Sequence, residues 1–223
     1  LILLKIIEGY MIANIIYLQI ENNNSSRLDK LHCFLDSPFI VRLFGYKTEE
    51  EKVLALELYN LLVKNQAKLC CFSHTFNEVE GILYEYKRNI NNYRDMTLEH
   101  FDEEGYTESR VDMEINSLKD MFLHYHIEIM DKPLYNEDKY KDVIDESELR
   151  KKLVEHTENI GHRLKERSID NDIFSVCSIN MLRKGNTYTR IENCKYIFVT
   201  QYQYLITATK EVMAGKLKDL DIN

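Results

Sequence analysis

Carboxylates stand beside apolar runs at three places in this sequence. Asp36 ends the run Leu31–Leu35, Glu78 follows the run 67–72 by six residues, and Asp170 and Asp172 precede a third apolar stretch. Carboxylate oxygens without Cys or His nearby are the ligands that Mg²⁺ and Mn²⁺ prefer. Hard divalent cations held in this way serve phosphodiester hydrolysis, because they activate water and stabilise the leaving oxygen. The acids therefore predict a Mg²⁺ or Mn²⁺ site if the fold brings them together.

A simpler interpretation of the same acids stays open at this stage. Asp36-Ser37-Pro38 is also a turn and helix-start signal, in which Asp36 caps the segment that follows it. Glu78, Asp170 and Asp172 are predicted near helix N-termini, where acidic residues are common for electrostatic reasons. Each acid taken alone is compatible with capping, so the metal interpretation depends on their convergence.

The elements predicted between residues 31 and 86 form a strand–helix–strand–helix unit. Consecutive apolar residues predict a buried strand before Asp36, and Thr48 followed by three glutamates predicts a helix start. That helix is expected to end near Lys64, before a second strand over 67–72. A third helix follows, with Glu78 in its first turn. The spacing favours a right-handed unit with parallel strands, whose carboxyl ends share one edge of the sheet.

The last third of the chain supplies the remaining predicted elements. A helix is expected to open at Ser168 with Asp170 and Asp172 at its start, and to stop at Gly185. Residues 195–200 predict a third strand that ends in Thr200, followed by a helix over 201–213. If this strand joins the parallel sheet, Thr200 lies at the same edge as Asp36, where it is a candidate to hold a cation, a water molecule or a phosphate.

The predicted fold is a three-layer α/β/α domain with a central, mostly parallel sheet and a large helical insertion. We expect residues 31–86 and 166–223 to form the α/β domain and residues 87–165, which are highly charged, to form the insertion. Residues 1–30 are expected to form an apolar helix and a polar linker, and the chain may be a fragment of a longer protein.

Composition narrows the classes of function. The formal net charge of −8 argues against a dedicated binder of duplex DNA, which normally shows a basic footprint. Five cysteines without a CxxC pair predict reduced, buried thiols in a cytoplasmic protein and no zinc site. Charged and polar residues interrupt the apolar residues 1–20, so no membrane association is expected.

Four segments together resemble the PIN-domain (PIN-like) nucleases. The resemblance rests on the order and spacing of LHCFLDSPFI, FSHTFNEVEGIL, ERSIDNDIFSVCSINMLRKG and KYIFVTQYQYL. It implies a metal-dependent endoribonuclease that cleaves single-stranded RNA, with Asp36, Glu78 and Asp172 as catalytic metal ligands. Asp170 is an additional or alternative ligand, and Glu80 is the alternative to Glu78.

The sequence departs from the family at one position. The family often has Asp or Asn two residues after the strand-end hydroxyl, where this chain has Tyr202. One bound Mg²⁺ or Mn²⁺ is therefore expected rather than two. Residues 87–165 lie outside the resemblance, and we expect them to serve a homodimer or a partner protein.

Cations close to the predicted site in sequence are candidates to bind the RNA backbone. They are Arg183, Lys184 and Arg190, although a basic helix C-terminus explains the first two equally well. Three alternative functions remain: a catalytically weak or inactive PIN-like interaction module, a nuclease acting on DNA, and an unrelated hydrolase such as a phosphatase. The last is disfavoured because Asp36-Ser37-Pro38 lacks an Asp-x-Asp pattern.

Overall fold

A computed structural model describes residues 28–90, 98–131, 133, 144–159, 161, 164–186 and 191–220, with only the backbone at 99, 192 and 215–220. The chain divides into two compact units. The first comprises Leu1–Met130 and Arg190–Gln201, and the second comprises Asp131–Thr189 and Tyr202–Asn223. The helix and linker predicted over 1–30 lie almost entirely outside the described residues.

The first unit contains a four-stranded, all-parallel sheet. Its strands are β1 (His32–Leu35), β2 (Lys68–Phe72), β3 (Ile127–Met130) and β4 (Tyr196–Val199), in the order β3-β2-β1-β4. The three strands predicted from apolar runs are confirmed, and so are the α/β class and the parallel sheet.

The central position of β1 follows from its side chains. Cys33, Phe34 and Leu35 are all buried, as expected for a strand covered on both faces. The ring of Phe34 stacks on Phe72 of β2 with centroids 4.5 Å apart. This packing fixes β1 between its neighbours and sets the register of the residue that follows it.

The described residues of the first unit form five α-helices: α1 (Ser37–Leu43), α2 (Glu49–Lys64), α3 (Ser73–Arg88), α4 (Glu99–Glu103) and α5 (Glu108–His124). The predicted start of α2 is confirmed, because the Thr48 side chain accepts a hydrogen bond from the Glu51 backbone N–H. Helix α3 begins directly after β2, without a loop. Its buried face, predicted from the spacing of its apolar residues, consists of Phe76, Val79, Leu83 and Tyr86.

In the described part of the second unit there are three α-helices: α6 (Glu146–Asn159), α7 (Glu166–Leu182) and α8 (Gln203–Leu220). Helix α6 packs against both α7 and α8. Its Lys152 and His156 contact Glu211 of α8 at 3.4 Å and 3.1 Å. Leu149 and Leu153 are fully buried and form the apolar side of this helix.

One sequence prediction about the segment 87–165 needs revision. Its helices α5 and α6 are present as predicted, but β3 also lies within it and pairs with β2, so residues 127–130 belong to the sheet and not to a helical insertion. The sequence analysis did not predict this edge strand, because Glu128 and Ile129 are exposed and the segment therefore lacks a continuous apolar run. The boundaries between the two compact units lie after residues 130, 189 and 201. The domain boundaries predicted from the sequence, at 86 and 166, stay a prediction.

None of the described helices is both long and apolar enough to cross a membrane. All five cysteines are described; they form no disulfide bonds and are buried, as predicted. Burial raises the pKa of the Cys33, Cys70 and Cys71 thiols to about 12. These thiols therefore stay protonated and are poor nucleophiles and poor metal ligands.

Candidate functional site

Asp36 is both the residue that ends β1 and the N-cap of α1. Its Oδ1 accepts a hydrogen bond from the Ser37 backbone N–H at 2.8 Å, and Pro38 lies in the first turn of the helix. Its own backbone N–H donates to the Val199 carbonyl at 3.1 Å, which extends the pairing of β1 with β4. The capping interpretation and the strand-end interpretation are thus both correct, and the cap uses only one carboxylate oxygen.

Thr200 occupies the corresponding position after β4. The register pairs Leu35 with Val199, so the next residue of each strand lies side by side at the carboxyl edge of the sheet. The Thr200 hydroxyl donates a hydrogen bond to Asp36 Oδ2 at 2.7 Å. The predicted convergence of these two residues is confirmed, while a role for Thr200 in holding a cation or a phosphate stays a prediction.

The Asp36 carboxyl group is buried, with 6% of the residue exposed. Burial is the largest cause that raises its pKa, to about 7, and the negative charge of Glu78 raises it further. The hydrogen bonds from Thr200 and Ser37 act in the opposite direction, because they stabilise the carboxylate. A positive charge at this edge would favour the ionised form, which is the condition that a divalent cation satisfies.

Glu78 is the second carboxylate of this edge, but not where the sequence placed it. Helix α3 starts at Ser73, so Glu78 lies in its second turn, and the prediction of a first-turn position was wrong. The reason is that the helix follows β2 without an intervening turn. Glu78 is half-buried and its charge acts on Asp36, whereas Glu80 is not among the groups that shift the Asp36 pKa. Glu78 is therefore the better candidate of the two.

Gly81, three residues after Glu78, is not enforced by packing in this structure. A Cβ built on it meets no other atom within 4 Å. The glycine is thus not required by a close approach of another element at this position.

Asp170 and Asp172 belong to the second unit. They do not open their helix as predicted, because α7 already begins at Glu166 with Lys165 as its N-cap. Asp170 is exposed and forms an ion pair with Arg150 of α6, while Asp172 is buried at 9% exposure. Of the five predicted ligands, the first unit therefore contains Asp36, Glu78 and Thr200, and the second contains Asp170 and Asp172.

The predicted RNA-binding cations lie at or beyond the end of α7. Arg183 is the C-cap residue and is half-buried, and Lys184 is exposed with a φ of 54°. Arg190 lies outside the described residues. The rings of Tyr202 and Tyr204 stack on each other with centroids 5.0 Å apart.

Arg42 is a residue of this edge that sequence reasoning missed. Its Nε donates to Glu51 Oε1 at 3.0 Å, and its Nη1 donates to the Pro38 carbonyl at 3.3 Å and to the side chain of Gln201. It thereby joins the first turns of α1 and α2 to the residue after Thr200. The spacing of Pro38 and Arg42 on one helix face was visible in the sequence, but no local pattern links residue 42 to residue 201.

The donor atoms at this edge fit Mg²⁺ or Mn²⁺. Asp36 and Glu78 provide carboxylate oxygens, and Mg²⁺ is commonly held by one or two carboxylates while it keeps several water molecules. Within the described ranges, no group of three or more His, Cys, Asp or Glu side chains is arranged to hold a metal ion. The fit therefore rests on a pair of carboxylates in the first unit.

Comparison with known proteins adds no relative to this description. The chain matches no protein-family model, no curated protein and no solved structure.

Proposed function

We propose that the protein is a metal-dependent phosphodiesterase, a PIN-like endoribonuclease that cleaves single-stranded RNA. The observation that supports it most is the buried Asp36 carboxyl group, which accepts from Thr200 and is influenced by the charge of Glu78 at the carboxyl edge of a parallel sheet. Ligand and catalytic sites of open α/β sheets lie at this edge. The proposal includes the finer three-layer, PIN-like description of the fold.

In this proposal Asp36 and Glu78 hold the Mg²⁺ or Mn²⁺ ion. When bound, such an ion supplies Lewis-acid chemistry and a water nucleophile at neutral pH. The Ser37 N–H and the Thr200 hydroxyl fix the two oxygens of Asp36, so that the carboxylate is oriented before the ion arrives. Asp172, with Asp170 as an addition or alternative, is the further ligand that the resemblance implies.

We propose RNA as the substrate and the cytoplasm as the location of the protein. Buried cysteines that form no disulfide bonds are typical of a reducing compartment. Arg183, Lys184 and Arg190 are the proposed contacts to the RNA backbone, since cations neutralise phosphates without reading the sequence. Partner binding through residues 87–165, including a homodimer, stays part of the proposal.

The second candidate is a PIN-like interaction module with little or no activity. Two observations favour it: Tyr202 occupies the place where the family often has an acid, and the first unit offers a pair of carboxylates and not a cluster of three. A nuclease acting on DNA would use the same residues, so the substrate must be decided by experiment.

The deciding experiment is cleavage of labelled single-stranded RNA and DNA of the same sequence with Mn²⁺, with Mg²⁺ or with EDTA. Full-length parent protein is compared with Asp36→Asn, Glu78→Gln and Asp172→Asn, and Glu80→Gln is the matched control. We expect RNA cleavage that needs the metal, falls at least 100-fold in Asp36→Asn and Glu78→Gln, and is retained in Glu80→Gln.

Calorimetric titration with Mn²⁺ separates the two candidates. Metal binding together with cleavage supports the nuclease. Binding without cleavage of either nucleic acid, or the absence of both, favours the interaction module. Equal cleavage by the parent and Asp36→Asn would show that a different site or a contaminant is responsible.

A further inference from the structure

The first turn of α3 contains a buried hydroxyl group that the proposed site does not yet use. Thr75 is 1% exposed, and its Oγ1 has no hydrogen-bond partner. Among the described residues only one other buried side-chain atom, Ser178 Oγ in the second unit, is in this situation. Buried polar atoms in folded proteins are nearly always paired, so such an atom indicates a water molecule, an ion or a ligand that completes it.

Thr75 precedes Glu78 by three residues on helix α3. Residues three apart on a helix share a face, so Thr75 lies one turn before Glu78 on the same side of α3. It is also one turn closer to the carboxyl end of β2, which pairs directly with β1. Helix α1, which Asp36 caps, packs against α3.

A water molecule can form hydrogen bonds both with the Thr75 hydroxyl and with the carboxylates of Asp36 and Glu78. An ionised carboxylate only accepts hydrogen bonds, whereas a threonine hydroxyl donates one and accepts others. The Thr200 hydroxyl already donates its hydrogen bond to Asp36 Oδ2, whereas the Thr75 hydroxyl makes no hydrogen bond to the protein. Mg²⁺ and Mn²⁺ bound through two carboxylates bring water molecules that need such acceptors and donors.

We propose that Thr75 belongs to the cation site, and that its hydroxyl hydrogen-bonds a water molecule that enters the site with the divalent ion. This inference rests on the proposed function, because the ion is the one held by Asp36 and Glu78. Thr75 acts as a positioning residue: it touches the water and not the cation.

The experiment is a calorimetric titration of the full chain with Mn²⁺ alone, together with thermal unfolding in EDTA. Thr75→Val keeps the shape of the side chain and removes the hydroxyl, Thr75→Ala is a second hydroxyl-free variant, and Thr75→Ser keeps the hydroxyl. Thr157→Val is the matched control, since Thr157 is a buried helical threonine whose hydroxyl is bonded to the Leu153 carbonyl at 2.9 Å.

We expect Mn²⁺ affinity to fall about tenfold in Thr75→Val and Thr75→Ala, and to stay within about twofold of the parent in Thr75→Ser and Thr157→Val. Thr75→Val is expected to keep the unfolding temperature of the parent in EDTA, because no protein group loses a partner. Unchanged Mn²⁺ affinity in both hydroxyl-free variants overturns this proposal alone. Failure of the parent to bind Mn²⁺ overturns the proposed metal chemistry and this inference with it.

Discussion

At the residue scale, Asp36 combines two roles that are usually considered alternatives. As a helix cap it accepts one backbone hydrogen bond, which stabilises α1 and needs only one oxygen. Its other oxygen accepts from Thr200, and the group is buried beside a second carboxylate. A cap alone does not need burial or a neighbouring acid, so the surroundings of Asp36 are consistent with the ligand role proposed for it.

The raised pKa of Asp36 predicts how stability depends on pH. Between its ordinary value near 3.8 and about 7, the folded protein holds a proton that the unfolded chain has lost. The free energy of unfolding therefore falls as pH rises through this window and is flat above it. We expect Asp36→Asn to be more stable than the parent at pH 8 in EDTA, by about 4 kcal/mol, and close to the parent at pH 4.

Urea unfolding at a series of pH values measures this difference. Asp170→Asn is the control, because it makes the same change at an exposed aspartate. Parallel pH curves for the parent and Asp36→Asn would contradict the assignment of the pH dependence to Asp36.

Arg42 carries a second prediction at this scale. Arg42→Met removes the bonds to Glu51 and Gln201, and the pair with Glu51 is partly exposed, so the loss in unfolding free energy should be about 1 kcal/mol. Because Gln201 adjoins Thr200, we also expect Mn²⁺ affinity to fall several-fold. Arg88→Met, at an exposed arginine of α3, should leave Mn²⁺ binding unchanged. If both variants bind Mn²⁺ like the parent, Arg42 is only a stabilising residue.

At the element scale, three helices end with a non-glycine residue in the left-handed region. These residues are Gln66 after α2, His126 after α5 and Lys184 after α7, with φ angles of 66°, 51° and 54°. After α2 the turn is closed by bonds from Gln66 N–H to the Val63 carbonyl and from Ala67 N–H to the Leu62 carbonyl. Glycine is the residue that this termination normally uses, since a Cβ is strained there.

Gln66→Gly should therefore stabilise the protein by about 1 kcal/mol. The Gln66 side chain is exposed, so its removal should cost little. Gln66→Ala is the matched control, because it removes the side chain but keeps the strained Cβ, and we expect it to be near neutral. Chemical denaturation of both variants measures the difference, and equal stability of Gly and Ala at this position would contradict it.

Much of the element pattern could be predicted from the sequence because its signals are local. The buried strand before Asp36 and the Thr48 cap depend on residues close together in the chain. The stop predicted at Gly185 was too late, because α7 ends at Leu182 and Lys184 adopts the left-handed conformation after it. Helix starts without a capping side chain were misplaced: α3 begins at Ser73 and α7 at Glu166, with Phe72 and Lys165 as N-caps that make no side-chain bond. The partners of Arg42 and the orphan hydroxyl of Thr75 depend on tertiary packing, so no sequence pattern could reveal them.

At the scale of the whole molecule, an acidic protein is proposed to bind a polyanion. The chain has 37 acidic residues against 29 Lys and Arg, so its overall field repels RNA. Binding must then come from local cations and from the divalent ion that offsets the carboxylates at the sheet edge. RNA affinity should consequently rise when Mg²⁺ is added, and individual lysines should have measurable effects on its salt dependence.

Lys184 tests this balance, because it is exposed and belongs to the proposed RNA contacts. Neutralising one phosphate contact on a single strand reduces the slope of log K against log salt by about 0.7. We expect Lys184→Gln to weaken the binding of fluorescent single-stranded RNA and to reduce the slope of log K against log salt by about 0.7. The loss of affinity should be similar for unrelated RNA sequences. The measurement uses fluorescence anisotropy in an Asp36→Asn background, so that the RNA stays intact.

Lys68→Gln is the control. Lys68 is also exposed, but it starts β2, at the edge of the sheet opposite Asp36. If Lys68→Gln changes the slope as much as Lys184→Gln does, RNA binding is a diffuse charge effect, and the cations after α7 form no specific RNA contact.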